Sequence, residues 1–302
     1  MHPAPDTVSV RVPASTSNCG AGFDTLGLAL SLSNRITVAR AAGRTAKPER
    51  SDDARAQEMV AGTAALFFRT AAIAPEGFRY RIEGNVPPAR GLGSSVTVIA
   101  GILAALDALH GTAWTRSKLV GLATQLEGHP DNASAGILGG FCISRCDPTT
   151  GAYVDTVRVP VPSELAFVVA SPKAEMLTKA SREILPSTVP FFDAVRSINS
   201  AAYLTAAFAT GEFEKLRHAG GDFMHEPYRL PRIPGAKSAI IAAVSAGAFT
   251  GWLSGSGSSV LAVCQQSQAG HVLAAMRAAF TLESVAGDAQ VLSADNDGLK
   301  VE

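Results

Sequence analysis

A chain of 302 residues with 47% hydrophobic content can bury a proper core, which excludes disorder, and is long enough for one large domain or two ordinary ones. Its 26 basic and 26 acidic residues cancel to a formal net charge of +0, so the overall balance gives no case for a nucleic-acid partner or an anionic membrane. Apolar runs such as 239–249 are too short to span a bilayer, and Met1-His2-Pro3-Ala4-Pro5 lacks the basic-then-apolar order of a signal peptide, so a cytoplasmic protein is expected.

In chain order, Val8, Val10 and Val12 alternate with Ser9 and Arg11, the period of a half-buried strand over 7–12. Residues 13–24 are small and polar, with little to bury. Leu26, Leu28, Leu30 and Leu32 resume the alternation, and 35–39 continues it. Residues 41–55 are charged and expected as an exposed loop, and 56–70 reads as a helix. Phe78, Tyr80 and Ile82 mark a strand that feeds Val86-Pro87-Pro88-Ala89-Arg90-Gly91-Leu92-Gly93-Ser94-Ser95. Beyond it Val96, Ile99, Leu103 and Leu106 recur at helical spacing over 96–109, and Gly111 suits a left-handed cap. Thr115 is a candidate N-cap for a helix reaching about Glu127. Gly136, Gly139 and Gly140 precede a strand over 141–144, and 154–159 and 165–170 read as two more. Pro160 and Pro162 bracket the expected domain boundary, which divides the chain into 1–160 and 161–302.

In the second half, 191–210 reads as a long helix ended by Gly211, 212–219 as a short one, and 237–246 as another, followed by Gly247. A strand runs into the small-residue loop 253–259 and 260–264 leaves it. Residues 270–280 are helical, and 284–292 fits a last strand. Helices and strands mix without regular βαβ alternation, so α+β is the expected class. The four cysteines, Cys19, Cys142, Cys146 and Cys264, make no Cys-x-x-Cys pair; buried free thiols fit them, with a metal site or disulfides as the alternative.

Three small polar loops, 13–24, 87–95 and 253–259, each lie beside a strand, which favours a shared ligand site. In the middle one, glycines permit close backbone approach, and a helix start offers unpaired N–H groups and a positive dipole end, the makings of a phosphate cradle. No lysine completes a P-loop, and Val96 stands where a dinucleotide fingerprint has glycine, so an ordinary tight turn remains open. Glu127-Gly128-His129-Pro130-Asp131-Asn132 gathers two carboxylates, an imidazole and an amide. Magnesium takes few hard oxygen ligands from protein, and Glu127 with Ser94 or Ser95 would suffice; a helix-end loop capped by Asp131 and Asn132 is the alternative. Arg182 and Arg229 suit a carboxylate by their planar donors, or are solvated surface groups.

Read together, these segments resemble the homoserine kinases of the galactokinase, homoserine kinase, mevalonate kinase and phosphomevalonate kinase (GHMP) superfamily. The resemblance rests on Val12-Pro13-Ala14-Ser15-Thr16-Ser17-Asn18 through Gly22-Phe23-Asp24-Thr25-Leu26-Gly27, then Gly91-Leu92-Gly93-Ser94-Ser95 and Glu127-Gly128-His129-Pro130-Asp131-Asn132. It continues through Arg182 and Ile184-Leu185-Pro186, His225-Glu226-Pro227-Tyr228-Arg229 and Leu253-Ser254-Gly255-Ser256-Gly257. It spans nearly the whole chain.

The resemblance implies a two-domain fold: an N-terminal domain like the second domain of ribosomal protein S5, then a ferredoxin-like domain. It implies ATP-dependent phosphorylation of the L-homoserine side-chain hydroxyl, with Mg2+, by a protein that is usually a homodimer. It places Asn18, Asp24, His129, Asn132, Arg182 and Arg229 at the substrate, with Asn132, His129 and Asn18 nearest the chemistry. It places Pro88, Ala89, Arg90, Gly91, Leu92, Gly93, Ser94 and Ser95, with Ser254, Gly255 and Gly257, at ATP, and Ser95 with Glu127 at the metal. Asp24 suits the ammonium of homoserine and the arginines its carboxylate, while Asn18 and Asn132 are expected to orient the hydroxyl. No dedicated Asp base is expected. The rival readings are a mevalonate or sugar kinase, where a substrate without a carboxylate would leave Arg182 and Arg229 without a partner, and a non-catalytic ligand sensor, which would be expected to have lost Glu127 or the loop serines.

Overall fold

The alternating valines and leucines build an antiparallel pair, β1 (Thr7–Ser17) and β2 (Leu26–Arg40), with a register shift between Pro13 and Ala14. The computed structural model describes residues 5–174, 176 and 178–302, with Thr178 and Lys179 described by their backbone alone; Met1–Ala4, read above for a signal peptide, lie outside the described residues. β2 serves two neighbours in succession. Leu26, Gly27 and Leu28 pair with β5 (Phe141–Cys146), and Asn34 to Arg40 pair with β4 (Phe78–Gly84). β3 (Ala46–Pro48) lies parallel to β4, and β6 (Tyr153–Val159) extends the sheet from β5.

Against this sheet pack α1 (Gln57–Ala71), α2 (Ser94–His110), α3 (Arg116–Glu127) and α4 (Asp131–Leu138). α2 is the central helix, apolar around most of its circumference and buried along most of its length. Gly101 brings it against the sheet: a Cβ there would stand 2.2 Å from Ile36 Cγ1. Thr115 caps α3 as expected, accepting from the Lys118 amide, and Gly111 ends α2 in a left-handed conformation.

After Val159 the chain crosses to a second sheet, ordered β10-β7-β9-β8 and antiparallel throughout. Its strands are β7 (Leu165–Pro172), β8 (Thr250–Leu253), β9 (Val260–Gln265) and β10 (Gly287–Leu292). Between β7 and β8 run α5 (Thr178–Glu183), α6 (Phe191–Thr210), α7 (Glu226–Arg229) and α8 (Ala236–Ser245), and α9 (Ala269–Leu282) joins β9 to β10. Taken in sequence the strands lie in the order fourth, first, third, second, the ferredoxin-like arrangement expected. α8 and α9 cover one face. The other meets an apolar cluster shared with the first sheet, in which the Phe141 and Phe208 rings stack at 4.4 Å. No helix among the described residues is long and apolar enough to cross a membrane.

Two sequence readings are corrected. Residues 41–55 are not simply an exposed loop. They hold β3 and a 3-10 turn, Ser51–Ala56, because Arg50 grips the buried Asp53 carboxylate at 3.1 and 3.3 Å and the Tyr80 hydroxyl donates to the Asp53 carbonyl at 3.1 Å. The end of the chain does not stay with residues 161–292. β11 (Lys300–Val301) pairs with β1, and Arg11 bridges Asp295 at 2.6 Å, so the last residues return to the first sheet.

Candidate active site

The three small-residue loops meet. Ser254 Oγ donates to the Gly91 carbonyl (2.7 Å) and shares a hydroxyl–hydroxyl hydrogen bond with Thr16 Oγ1 (2.9 Å), the Gly255 amide donates to Ser17 O (3.2 Å), and the Ser15 amide to Leu92 O (3.2 Å). This explains the glycines more sharply than ligand approach does. Gly91 and Gly93 both have left-handed φ, and a Cβ would stand 2.0 Å from Ser254 O in the first and 2.2 Å from Ser15 Oγ in the second. The loops bound a cavity of about 620 Å³ into which the start of α2 opens.

At one end lie the charged groups. The turn carrying Asn18, Cys19 and Gly20 is left-handed at all three positions, and Asp24 is left-handed again, strain of the kind that persists where surroundings enforce it. Asn18 enforces it here: its Oδ1 accepts from the Asp24 amide (3.1 Å) and its Nδ2 donates to Gly255 O (3.2 Å). Arg182 forks onto the Asp24 carboxylate at 3.0 and 2.6 Å. Arg182 and Arg229 each hold their guanidinium 5.2 Å from the Phe23 ring. Arg229 is 2% exposed, donates to Ser181 O (3.1 Å) and Gly255 O (3.4 Å), and has its pKa lowered to about 10 by burial and then by Arg182, so it remains cationic at neutral pH.

Midway, α4 begins beneath β1. His129 Nδ1 meets Asp131 Oδ1 at 2.7 Å, and the buried Nε2 has no hydrogen-bond partner among the described residues. Burial alone would lower the His129 pKa; the Asp131 contact overrides it and the net shift is upward. Asn132 spends its amide on β1, accepting from Ser15 Oγ (2.8 Å) and donating to Ser17 Oγ (3.0 Å). At the end of α3, the Glu127 carboxyl hydrogen-bonds Ser95, and burial raises its pKa.

Most expected site residues line the cavity: Asn18, Asp24, Glu127, His129, Asn132, Arg182 and Arg229, with Pro88 to Gly91, Gly93 to Ser95, and Gly255. Leu92, Ser254 and Gly257 do not. Leu92 is core, Ser254 is a buried tie between loops, and Gly257 packs under Ile233 and Leu253. The amides of Asn18 and Asn132, expected to face a substrate hydroxyl, are engaged within the protein. The far wall was not anticipated: Ala56, Met59, Ile82, Val86 and Val98 form an apolar lining with Arg50, Asp52 and Arg55 at its rim. Its sequence signal, acidic residues just ahead of a helix, is that of any helix start. His225 also went unassigned. Fully buried, it sets Nε2 2.8 Å from Gly20 O and Nδ1 3.5 Å from Arg229 Nη1. One neutral tautomer satisfies both, Nε2–H donating and Nδ1 accepting, and burial lowers its pKa.

Beside it, Glu226 accepts from the Leu253 amide at 2.7 Å and ties α7 to the third loop. Its carboxyl group is enclosed, and burial raises its pKa from 4.5 to about 7. The folded state therefore holds a proton that the unfolded chain loses near 4.5, and the associated stability, present below 4.5, is lost as pH rises through about 7. Glu226→Gln keeps the acceptor and removes the charge. It should leave stability at pH 4 unchanged and raise it at pH 8 by up to about 3 kcal/mol in urea unfolding. Equal stability at pH 8 would mean that the carboxyl is solvated.

Residues 58–140 match the model of the GHMP kinases N terminal domain, and 201–282 that of the GHMP kinases C terminal domain. The chain is 39% identical to a homoserine kinase of Moorella thermoacetica, covering 97% of this chain and 99% of that one. It is 36% identical to one of Prochlorococcus marinus, covering 96% and 94%. Among solved structures it is similar to the homoserine kinase of Cytophaga hutchinsonii, with a TM-score of 0.89 at 26% identity over 100% of this chain and 99% of that one. A mevalonate diphosphate decarboxylase of Enterococcus faecalis, with a TM-score of 0.70 at 16% identity, shares the fold.

Proposed function

From the premise that this chain belongs to the homoserine kinase family of the GHMP kinases, we propose that it transfers the γ-phosphoryl group of ATP to the side-chain hydroxyl of L-homoserine, giving O-phospho-L-homoserine and ADP. The observation that carries this reading is the cavity's polarity. One end offers Asp24, Arg182 and Arg229, complementary to the ammonium and carboxylate of an amino acid. The other offers the glycine loop and the start of α2, where backbone amides and the helix dipole suit phosphate oxygens. The apolar wall of Met59, Ile82 and Val98 then takes the base of the nucleotide. A sugar would bring neither charge to these groups, and mevalonate brings a carboxylate but no ammonium for Asp24.

Phosphoryl transfer needs alignment and charge neutralisation more than covalent help. Asn18 and Asn132 serve alignment by fixing the loops, and His129 Nε2, unpartnered among the described residues, is a polar atom left to meet the hydroxyl. Glu127 and Ser95 fit Mg2+: both are hard oxygen donors, and the Glu127 carboxylate is desolvated with no cationic side chain within ion-pair distance among the described residues. Bound there, the ion would neutralise charge on the nucleotide phosphates. The reading carries with it a cytoplasmic homodimer.

A coupled ATP-consumption assay across homoserine, mevalonate, galactose and shikimate tests the proposal. Turnover with homoserine alone is expected; comparable turnover with mevalonate or galactose would overturn it. Arg229→Ala should weaken homoserine binding by about 2–5 kcal/mol in calorimetric titration while ATP affinity changes little. Unchanged homoserine affinity would remove Arg229 from the carboxylate site.

A further inference from the structure

The substrate end of the cavity is already paired with itself. Asp24 and Arg182 form a bidentate bridge at 3.0 and 2.6 Å, and their side chains remain 32% and 37% exposed, within reach of a ligand. The carboxylate is fixed, because its backbone is pinned by Asn18 on a left-handed turn. The guanidinium sits on the short α5 and lies over Phe23. Beneath the same ring, Arg229 is buried and has no carboxylate within ion-pair distance among the described residues. Two guanidiniums therefore converge near Asp24, whose carboxylate is already occupied, while Asp131 beside it is engaged by His129.

A lone ammonium finds Asp24 taken by Arg182, the neighbouring Asp131 engaged by His129, and two guanidiniums close by. A lone carboxylate can approach Arg229, but engaging Arg182 as well strands Asp24. Leaving one partner of a partly buried pair uncompensated is the costly outcome. A zwitterion escapes this, since its ammonium replaces the guanidinium at Asp24 and its carboxylate replaces Asp24 at Arg182. Resting on the kinase reading above, we propose that the Asp24–Arg182 bridge is an exchangeable latch that selects for zwitterions, opening only to a ligand that supplies both charges.

Two truncated ligands and two variants of the full chain test it. 4-Hydroxybutanoate lacks the ammonium of homoserine and 3-aminopropan-1-ol lacks the carboxylate. In calorimetric titrations the wild type should bind each at least about 100-fold more weakly than homoserine. Asp24→Asn frees Arg182 and should bind 4-hydroxybutanoate about tenfold more tightly than the wild type does, while losing affinity for homoserine. Arg182→Gln frees Asp24 and should gain about tenfold for 3-aminopropan-1-ol. Near-ultraviolet circular dichroism checks that each variant folds; if one does not, the other decides. A folded variant that binds its truncated ligand no better than the wild type overturns the latch. Wild-type turnover with homoserine judges the kinase reading separately, because none of these binding comparisons depends on it.

Discussion

Glu127→Gln is expected to lower turnover at limiting Mg2+ by about a thousandfold, which is about 4 kcal/mol of lost transition-state stabilisation. The carboxyl stands at the end of α3, hydrogen-bonded to Ser95 at the start of α2, and burial raises its pKa. Holding a desolvated carboxylate there has a cost unless a cation arrives with the nucleotide. Glutamine keeps the shape and a hydrogen bond to Ser95 but removes the charge that would hold the cation. The same substitution should stabilise the empty protein. A carboxyl whose folded pKa is raised contributes stability below its unfolded value and loses it as pH rises through the folded one, so the gain appears as pH rises above 4.5. Lower activity with equal or higher resistance to urea at pH 8 is the signature of a ligand site, since a merely structural carboxylate would lose both. Wild-type turnover in the variant at limiting Mg2+ would show that Glu127 holds no metal.

Much of the site was legible because its residues cluster in sequence as well as in space. Gly91 to Ser95 run directly into α2, and Glu127 to Asn132 span the turn between α3 and α4, so motif spacing carried the geometry. The apolar wall was not legible. Met59, Ile82 and Val98 come from a helix, a strand and another helix, each satisfying an ordinary amphipathic pattern, and only the tertiary fold aims them at one cavity. β11 was invisible for a related reason: Lys300 and Val301 form a strand only because β1 presents a free edge to them. At Asn18 and Asn132 residue type leaves two roles open. A polar side chain in such a motif suggests a substrate contact, and each amide here also hydrogen-bonds the backbone or hydroxyls of the loops it holds.

That observation sharpens the second large effect, the comparison of Asn132 with His129. Asn132 joins α4 to Ser15 and Ser17 of β1, and those residues in turn bond the glycine loop and the third loop. Asn132→Ala severs the tie on both sides of the cavity. Misplacement of reacting groups by about 1 Å costs about 10²-fold, and loosening two loops together should cost about 10³-fold in the transfer step. His129 offers base chemistry instead. Its Nδ1 faces Asp131, its buried Nε2 has no hydrogen-bond partner among the described residues, and the Asp131 contact shifts its pKa upward. A base is active only when deprotonated, so a base mechanism predicts a rate that falls as pH drops through that raised value. Alignment predicts a rate flat across the same interval, and a loss of only about tenfold for His129→Gln, because glutamine can still hydrogen-bond the hydroxyl; a general base contributes about 10²–10⁴-fold. Single-turnover rates of both variants from about pH 5.5 to 9 separate the mechanisms. If His129→Gln loses about a thousandfold and abolishes a wild-type decline at low pH, the imidazole takes the proton and alignment alone is not the mechanism.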